Sequence, residues 1–411
     1  MHPKYFAGLV LAGGLLHAAE PQPLNENFLS QLRMEASRSH PSVVAGKLRA
    51  DAAELDIHSL RLWDDPMIGL GVMAAPRSMR ADQGDLVIGV EQALPKPGMY
   101  EAKHRKAEAL QRAELATTRA TLLAAGALAA ADAIELALAD ESIHLQQTQV
   151  GWLAAMAENA RQRAADPMGS GSDALRMETE LAKETQMLGA ARRNREALAQ
   201  KLNLILGRPL DTAWPQLRLP ATPPPVPIAQ AEIARLAHLN PKVRALHEMA
   251  NAASQEIRIA ERERLPGLAL GIDANVYSGG DYRSTTVGLK MNLPWFNERS
   301  YQASISAARK RQLAAASDVD TLRRELASDV LSSTTEAANA AAQARAYAGE
   351  IHDKAQQATK SIEAAWLSSK APLTDLLDAS RTLFAISLEQ RRFIAMQLAA
   401  LEQLYTIVPN R

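Results

Sequence analysis

Two short stretches of the sequence decide the fold: "PMIGLGVMA" at 66–74 and "PGLALGIDA" at 266–274. In the first, Ile68, Leu70 and Val72 alternate with glycine, and the second repeats the alternation of large aliphatic with small residues. Successive side chains of a β-strand point to opposite faces. Both stretches therefore predict strands that are apolar on one face and almost bare on the other.

Each stretch lies in a longer repeated unit. Residues 39–66 parallel residues 239–266: both segments open on a polar residue followed by proline, and both have a helical pattern that ends at a proline. A second alternating run follows in each unit, and then a long stretch without proline and almost without glycine. This order of helix, β-hairpin, long helix and shorter return helix predicts two structural repeats in one chain.

The predicted boundaries follow from these signals. We expect a signal peptide at 1–19, a first repeat at 20–206, a proline-rich crossover strap at 207–228 and a second repeat at 229–411. In the first repeat the strands are predicted at about 66–75 and 85–94, the long helix at 99–165 and the return helix at 172–206. In the second repeat the strands are predicted at about 266–277 and 284–293, the long helix at 299–368 and the return helix at 373–408. Composition leaves open whether the strap wraps the outside of a tube or only tethers the repeats.

The totals exclude several classes of protein. Lysine plus arginine and aspartate plus glutamate both number 46, so no net charge favours nucleic acid. The absence of cysteine excludes disulfides and thiolate zinc sites. The N-terminal apolar stretch is too short for a spanning helix, which favours a signal peptide over an anchor. Because no later apolar run has an evident spanning length, membrane contact is expected through the strands.

The predicted strands need partners from other chains. In the last run, Val287, Leu289 and Met291 share one face while Lys290 and Asn292 lie on the other. The polar face suits the water-filled interior of a channel better than a buried core. Four strands are too few for a barrel, which needs about eight or more. Three chains would supply 12 strands and leave no open edge. The sequence thus predicts a mainly α-helical protein with a membrane β-sheet that closes into a barrel only by oligomerisation, and three copies would give a 12-stranded β-barrel.

The order of elements resembles that of the TolC-type outer-membrane efflux proteins, over about residues 24–408. Four phrases are similar to the branch that works with heavy-metal exporters: "HPSVVAG", "LILGRPLD", "NPKVRALHEMANAASQEIRIAERERLPGLALG" and "LKMNLPWFNERS". The resemblance implies a trimeric exit duct in outer-membrane lipid, with its β-barrel continuous with an α-helical barrel in the periplasm. It implies a periplasmic adaptor and an inner-membrane pump of the RND type as partners. The expected cargo is heavy-metal cations, conducted passively without a cofactor.

Two aspartates at the start of the second return helix are candidate gate residues. Asp375 and Asp378 are three positions apart, so both carboxylates share a helix face, and a trimer would carry six of them in a ring. They match the family's periplasmic constriction, and Trp366 stands where some relatives carry a gate tyrosine. The first repeat aligns Asp173 and Arg176 with the two aspartates. The family's basic gate residue corresponds to an alanine here, which leaves Arg176 and the lysine at 370 as candidate replacements. The alternative for Asp375 is an acid in a first helical turn, stabilised by the helix dipole.

The breaks between the long and return helices are the candidate adaptor-docking sites. By resemblance, the adaptor meets the tips of the helical hairpins there. The residues are Gly169, Ser170 and Gly171 in the first repeat and Ser368, Ser369 and Lys370 in the second. Glycine allows a partner helix to approach the backbone closely. The alternative is that these residues only make the turn.

Enzyme and metal chemistry find little support. No nucleophile elbow, phosphate-binding glycine loop or paired-histidine metal motif occurs, and His238 and His247 are interpreted as surface histidines rather than metal ligands. Three methionines could bind soft cations through their thioether sulfurs, but they are more simply interpreted as packing residues: Met67, Met73 and Met79. Trp295 and Phe296 could form an aromatic girdle at the membrane interface or pack the strand–helix junction. The alternative function is a soluble periplasmic coiled-coil scaffold without channel activity.

Overall fold

The computed structural model describes residues 21–73, 85–165, 171–225, 239–277 and 280–407. The predicted signal peptide and His238 lie outside these ranges. The strands are β1 (Gln22–Pro23), β2 (Met67–Met73), β3 (Asp85–Leu94), β4 (Leu217–Arg218), β5 (Leu268–Tyr277) and β6 (Tyr282–Met291). The helices are α1 (Glu26–Ser39), α2 (Pro41–Ser59), α3 (Met99–Ala164), α4 (Gly171–Leu206), α5 (Pro241–Glu263), α6 (Glu298–Ala346), α7 (His352–Leu367) and α8 (Leu373–Ile407).

The repeated polar–proline pairs start equivalent helices. α2 begins at Pro41, and the side chain of His40 accepts a hydrogen bond from the backbone nitrogen of Ser42. α5 begins at Pro241, and Asn240 accepts the equivalent bond from Lys242 at 2.9 Å. Proline suits the first helical position because its missing N–H would have no helical partner there. The same local chemistry therefore starts the corresponding helix of each half.

The chain packs as two compact units. Within the described residues, one contains 21–36, 126–165, 171–225 and 333–403, and the other contains 37–73, 85–125, 239–277, 280–332 and 404–407. The second unit holds a four-stranded sheet in the order β2–β3–β5–β6, with every neighbouring pair antiparallel. The first unit holds the helix ends near 165 and 368, together with the short parallel pair β1–β4.

The first unit has a core rich in alanine. On α3, Ala129, Ala130, Ala133 and Ala137 are all 0% exposed. Alanine favours helix and lets helices approach closely. α3 also contains a window apolar enough by composition to cross a membrane, of which 56% is buried. This corrects the expectation that no later run has spanning length, and alanines packed in a helical core account for the composition.

A buried ion pair lies in the same unit. Arg33 of α1 and Glu402 of α8 expose 8% and 6% of their side chains, and the Arg33 Nε donates to Glu402 Oε2 at 2.9 Å. The exposed Glu26 lies 2.6 Å from the same guanidinium. Burial acts to lower the pKa of Arg33, but hydrogen bonds from its guanidinium to the two glutamates raise the pKa overall. Burial also raises the pKa of Glu402 against the opposing effect of Arg33.

The two long helices differ. α3 runs for 66 residues without a break. The corresponding stretch of the second repeat is interrupted between α6 and α7 by a π-helical turn at Tyr347–Ile351, where Gly349 has φ −101° and ψ −118°. The single helix predicted at 299–368 is therefore divided into two.

The phrase "LILGRPLD" is a helix stop. Gly207, with φ 68°, ends α4, and the Arg208 nitrogen bonds back to the Asn203 carbonyl at 2.9 Å. The fully buried Asn203 accepts from the Trp214 indole at 2.7 Å and donates to the carbonyl of Thr212 at 2.9 Å. The Arg208 guanidinium stacks 4.8 Å from the Trp214 ring centre. This part of the family resemblance reflects chain reversal rather than a binding site.

Candidate functional site

The four-stranded sheet has one continuous apolar face. Ile68 pairs with Val90, Val90 with Ile272, and Ile272 with Val287, so a row of aliphatic side chains crosses all strands. Their exposed fractions are 73%, 47%, 48% and 66%. The same face carries the exposed residues Leu70, Val72, Leu86, Ile88, Leu268, Leu270, Leu289 and Met291. An exposed apolar surface of this extent marks contact with lipid or with another protein.

The opposite face is small and polar. Gly69, Gly89, Asp273 and Thr286 occupy paired positions across the strands. A methyl group at Gly89 would overlap Oδ1 of Asp273, so the carboxylate lies directly over the glycine. Lys290 and Glu91 form an ion pair on this face, and Met67, opposite Glu91, is 60% exposed on the same side. These side chains suit contact with water.

Both outer edges of the sheet are open. Within the described residues, β2 pairs only with β3, and β6 only with β5. An unpaired strand edge presents backbone N–H and C=O groups that can pair with another chain. Because every neighbouring pair is antiparallel, β6 of one copy can add to β2 of another without changing the pattern.

Aromatic residues stand exposed where the sheet joins the helices. Trp295 and Phe296 lie shortly after β6, which ends at Met291, and they are 60% and 85% exposed, whereas the preceding Pro294 is buried. Trp63, just before β2, is 51% exposed. In one subunit these rings do not pack the junction. Their exposure favours the girdle over the junction-packing alternative.

A buried cluster lies where the helical hairpins turn. Trp366 is its largest member and is 2% exposed. The other buried members are Leu153, Met156, Ala157, Ala160, Ala174, Met177, Leu373 and Leu376. Within one subunit, Trp366 thus packs inside the hairpin tips, and a gate at this level would depend on other side chains.

Arg163 links the end of α3 to the turn after α7. Its Nη1 donates to the Trp366 carbonyl at 2.9 Å, its Nη2 donates to Ser369 Oγ at 2.6 Å, and its guanidinium lies 4.8 Å from the Trp366 ring centre. Ser369 has φ 61°, a conformation that usually favours glycine at a helix end. The Lys370 nitrogen bonds to the Ala365 carbonyl at 2.8 Å and completes the helix stop. We call the contacts of Arg163 with Trp366 and Ser369 the latch.

The candidate gate aspartates lie on the exposed side of α8. Leu373 and Leu376 are buried, whereas Asp375 and Asp378 are exposed. Asp378 Oδ1 lies 3.4 Å from the Arg381 guanidinium. For Asp375, the nearby hydroxyl of Thr374 lies at 3.4 Å, and no ion pair to it is found within the described residues.

Arg381 also joins two return helices. Its Nη2 lies 2.9 Å from Glu180 Oε1 on α4. Partial burial acts to raise the pKa of Glu180, but hydrogen bonds from Arg381 and Lys183 lower it overall. Sequence reasoning missed Arg381 although it stands three positions after Asp378, a spacing that places both on one helix face. Arg163 and Glu180 carried no comparable signal because their contacts form between distant segments.

The remaining predicted residues lie at the helix ends. Asp173 is half-buried and Arg176 is exposed on α4, and in the described part of the chain no ion pair involves Arg176 or Lys370. Gly171 is the first residue of α4, with open space around its α-carbon. Ser368 caps α7 and is exposed. Gly169, Ser170 and Met79 lie outside the described residues, as does the side chain of Met73.

The described residues contain no cluster of histidine, aspartate and glutamate that could hold a metal.

Comparison with known proteins gives a family match over part of the chain and solved structures with the same fold over most of it. Residues 233–409 match the outer membrane efflux protein family. The channel OprN superimposes with a TM-score of 0.81 at 15% identity, covering 94% of this chain and 91% of that one. VceC from Vibrio cholerae superimposes with a TM-score of 0.78 at 16% identity, covering 93% and 96%. CusC superimposes with a TM-score of 0.77 at 14% identity, covering 93% and 92%. A search of curated protein sequences gives no match.

The fold is therefore that of an outer-membrane efflux channel subunit, mainly α-helical with a β-sheet, as predicted. The family match covers 177 of the 411 residues, and together with the shared fold it confirms the resemblance predicted from the sequence.

Proposed function

We propose that the chain is one subunit of a homotrimeric exit duct. Three copies would join through β6 and β2 into a 12-stranded barrel, continuous with a helical barrel that reaches into the periplasm. A periplasmic adaptor and an RND-type pump would deliver the cargo, which the duct conducts passively and without a cofactor. The phrases shared with the heavy-metal branch support metal cations as that cargo.

The sheet carries this proposal. It has an apolar face, a small polar face and two open edges, and all three features are satisfied at once when copies close a ring in lipid. A soluble scaffold would leave the apolar face in water, so this alternative is disfavoured.

Cysteine pairs across the predicted joint test the assembly. The chain has no cysteine of its own. The test combines Leu70→Cys in turn with Val287→Cys, Leu289→Cys and Met291→Cys. The pair that lies in register should form an intersubunit disulfide, because neighbouring strands bring paired α-carbons to about 4.5–5.5 Å. The measurement is a ladder of covalent oligomers on a non-reducing gel of outer-membrane extracts.

Gly288→Cys, which faces the other side of the sheet, is the matched control for Leu289→Cys. Monomers from every pair, together with recovery in the soluble fraction, would reject the duct in favour of the scaffold.

The gate is proposed at Asp375 and Asp378, with Asp173 and Arg176 nearby in the first repeat. Its support is the exposure of Asp375 and Asp378 on one face of α8, and the absence of an ion pair to Asp375 within the described residues. Crowded carboxylates attract cations and resist full ionisation together. The proposal does not use Trp366 as a pore-facing residue.

The double variant Asp375→Ala with Asp378→Ala should reduce cation selectivity and block by divalent cations. Removing both carboxylates from each copy removes the whole ring of negative charge. Reversal potentials and divalent block in planar-bilayer recordings measure the effect. Asp318→Ala, an exposed acid on α6, is the control. Wild-type selectivity and block in the double variant would show that the two aspartates only stabilise the start of α8.

Adaptor docking is proposed at the two turns, with Gly169, Ser170 and Gly171 on one and Ser368, Ser369 and Lys370 on the other. The open space at Gly171 and the exposure of the second group support it. Crosslinking from Ser368→Cys to an adaptor in living cells tests this contact, and a functional channel that never crosslinks would count against it.

A further inference from the structure

A cleft of about 380 Å³ lies between α3 and α5 in the unit that carries the four-stranded sheet. Two ion pairs join these helices: Arg112 Nε lies 3.0 Å from Glu248 Oε2, and Lys106 Nζ lies 2.7 Å from Glu256 Oε1. The volume falls within the range of small-molecule sites, about 300–1,000 Å³. The lining combines three arginines with apolar side chains, among them Arg112, Arg119, Arg244, Leu115, Leu239 and Pro241. The cleft can therefore hold a small molecule that has both a charged and an apolar part.

The cleft carries more positive charge than its surroundings neutralise. Glu248 pairs with Arg112, but among the residues that the structure describes no ion pair involves Arg119 or Arg244, and both are exposed. A cleft lined by charges of one sign concentrates ions of the opposite sign. The planar guanidinium group donates paired hydrogen bonds that match the oxygens of a carboxylate or phosphate. These two arginines therefore favour an anion as the ligand.

The start of α5 adds to this positive charge. Its first turn contains Lys242 and Arg244 and no acid, whereas α1, α3, α4, α6, α7 and α8 each carry an acid in the first turn. α2 also lacks an acid there, but Val44 stands at the position equivalent to Arg244. The helix dipole disfavours cations at an N-terminus, and departures from such local rules are expected at functional sites. A bound anion would interact favourably with both the dipole and the side-chain cations.

The rest of the lining is apolar and accessible. Leu115 of α3 and Leu239, just before α5, are 50% and 63% exposed. Small-molecule sites typically combine apolar walls with a few polar groups that fix the orientation of the ligand. The two leucines beside the arginines therefore suit an anion with an apolar body better than a simple inorganic ion.

In the proposed trimer a neighbouring copy would not cover the cleft. The copies would join at β2 and β6, and α2 precedes β2 whereas α6 follows β6. α3 and α5 adjoin the central strands β3 and β5. α2 and α6 flank this pair, since Gly46 of α2 lies against Thr118 of α3, and Ala260 of α5 packs with Ile305 of α6. The cleft therefore stays within one subunit.

The position of the cleft favours a ligand from water over a membrane lipid. β3 ends at Leu94 and α3 begins at Met99. At about 1.5 Å per residue, Arg119 lies about 30 Å along the helix from Met99. A lipid that packs against the sheet keeps its headgroup near the rim of the sheet, so it would not reach Arg119.

We propose that this cleft binds a free organic anion with an apolar body, of which a medium-chain carboxylate is the simplest example. The carboxylate would accept hydrogen bonds from Arg119 and Arg244. Its chain would lie against Leu115 and Leu239. Each chain carries the whole site, so this inference goes beyond the proposed duct and does not depend on it.

Calorimetric titration of the full-length protein in lipid nanodiscs with octanoate tests the site, with empty nanodiscs as the blank. We expect saturable binding of one octanoate per chain, weaker binding of acetate, which lacks the apolar body, and no saturable binding of the cation octyltrimethylammonium. Arg119→Gln and Arg244→Gln should each weaken octanoate binding about tenfold or more, because each removes a hydrogen bond to a charged group.

Lys242→Gln is the matched control for Arg244→Gln. It removes the same charge from the same turn of α5, but Lys242 is exposed and does not line the cleft. Because solvent and salt screen such a charge, octanoate affinity should change by less than about twofold. Leu239→Ser should weaken the binding of octanoate and leave that of acetate unchanged.

Three results would overturn the proposal: no saturable binding of octanoate, equally tight binding of acetate or of the cation, or an equal loss in Lys242→Gln and Arg244→Gln. A failed titration would leave the proposed duct untouched, because the disulfide ladder tests the duct independently.

Discussion

Arg33→Met is expected to destabilise the protein by about 3–5 kcal/mol, because it leaves a buried carboxylate without its partner. Arg33 and Glu402 expose only 8% and 6% of their side chains, so water cannot replace the lost guanidinium. The raised pKa of Glu402 shows that burial disfavours its charged form even with Arg33 present. Urea unfolding of the detergent-purified protein, followed by tryptophan fluorescence, measures the change.

Two comparisons isolate the buried charge. Arg38→Met, on the exposed side of the same helix, should change the midpoint little. Arg33→Met with Glu402→Leu should recover most of the loss, since an apolar pair can replace a buried ion pair. A carboxyl whose folded pKa is raised contributes stability at low pH and loses it as the pH rises through that pKa. The deficit of Arg33→Met should therefore be smaller in acid than at neutral pH. Equal midpoints for Arg33→Met and Arg38→Met would contradict the argument.

Leu270→Arg or Leu289→Arg is expected to cost about 2–4 kcal/mol of membrane assembly each, the cost of a cation near the bilayer midplane on the lipid face of a barrel. The two leucines are cross-strand neighbours and are 42% and 65% exposed. The yield of heat-modifiable trimer in the outer-membrane fraction measures the effect.

Ala269→Ser and Gly288→Ser, one residue away on the opposite face, should assemble normally. A methyl group at Gly288 would meet nothing within 4 Å, so serine adds no steric conflict in the subunit. If all four variants assembled equally well, neither face of the sheet would be lipid-facing.

Strand faces could be predicted because their determinants are local. Alternation assigns Ile68, Leu70 and Val72 to one side whatever the strand's neighbours are. The proline at 266 follows the end of α5 at Glu263 closely, as predicted, whereas α2 already ends at Ser59, well before the proline at 66. The break at Gly349 could not be predicted in this way. Gly151 and Gly189 lie within regular helices of the same unit, so a single glycine does not distinguish a π-helical turn from a continuous helix.

The candidate site also has features that local spacing predicts and features that depend on the packing of distant segments. The shared face of Asp375 and Asp378 follows from helical spacing. The burial of Trp366 and its contact with Arg163 depend on how two distant hairpin ends pack, which no spacing within either segment encodes. Arg381 falls between these cases: its spacing to Asp378 is visible in the sequence, but its contact with Glu180 is not.

For the proposed trimer, the open edges of the sheet bear on how a single unassembled copy survives. Before assembly, a single subunit presents a row of unsatisfied amides beside a broad aliphatic surface, the combination that drives misassociation. In the proposed trimer both edges of the sheet are paired only by association, so apparent stability should depend on protein concentration. When few copies of the subunit are present, a single copy should more often be bound by chaperones or degraded than inserted into the membrane. The rate at which ducts appear in the membrane would rise steeply with synthesis, since the rate of encounter between copies increases faster than their number.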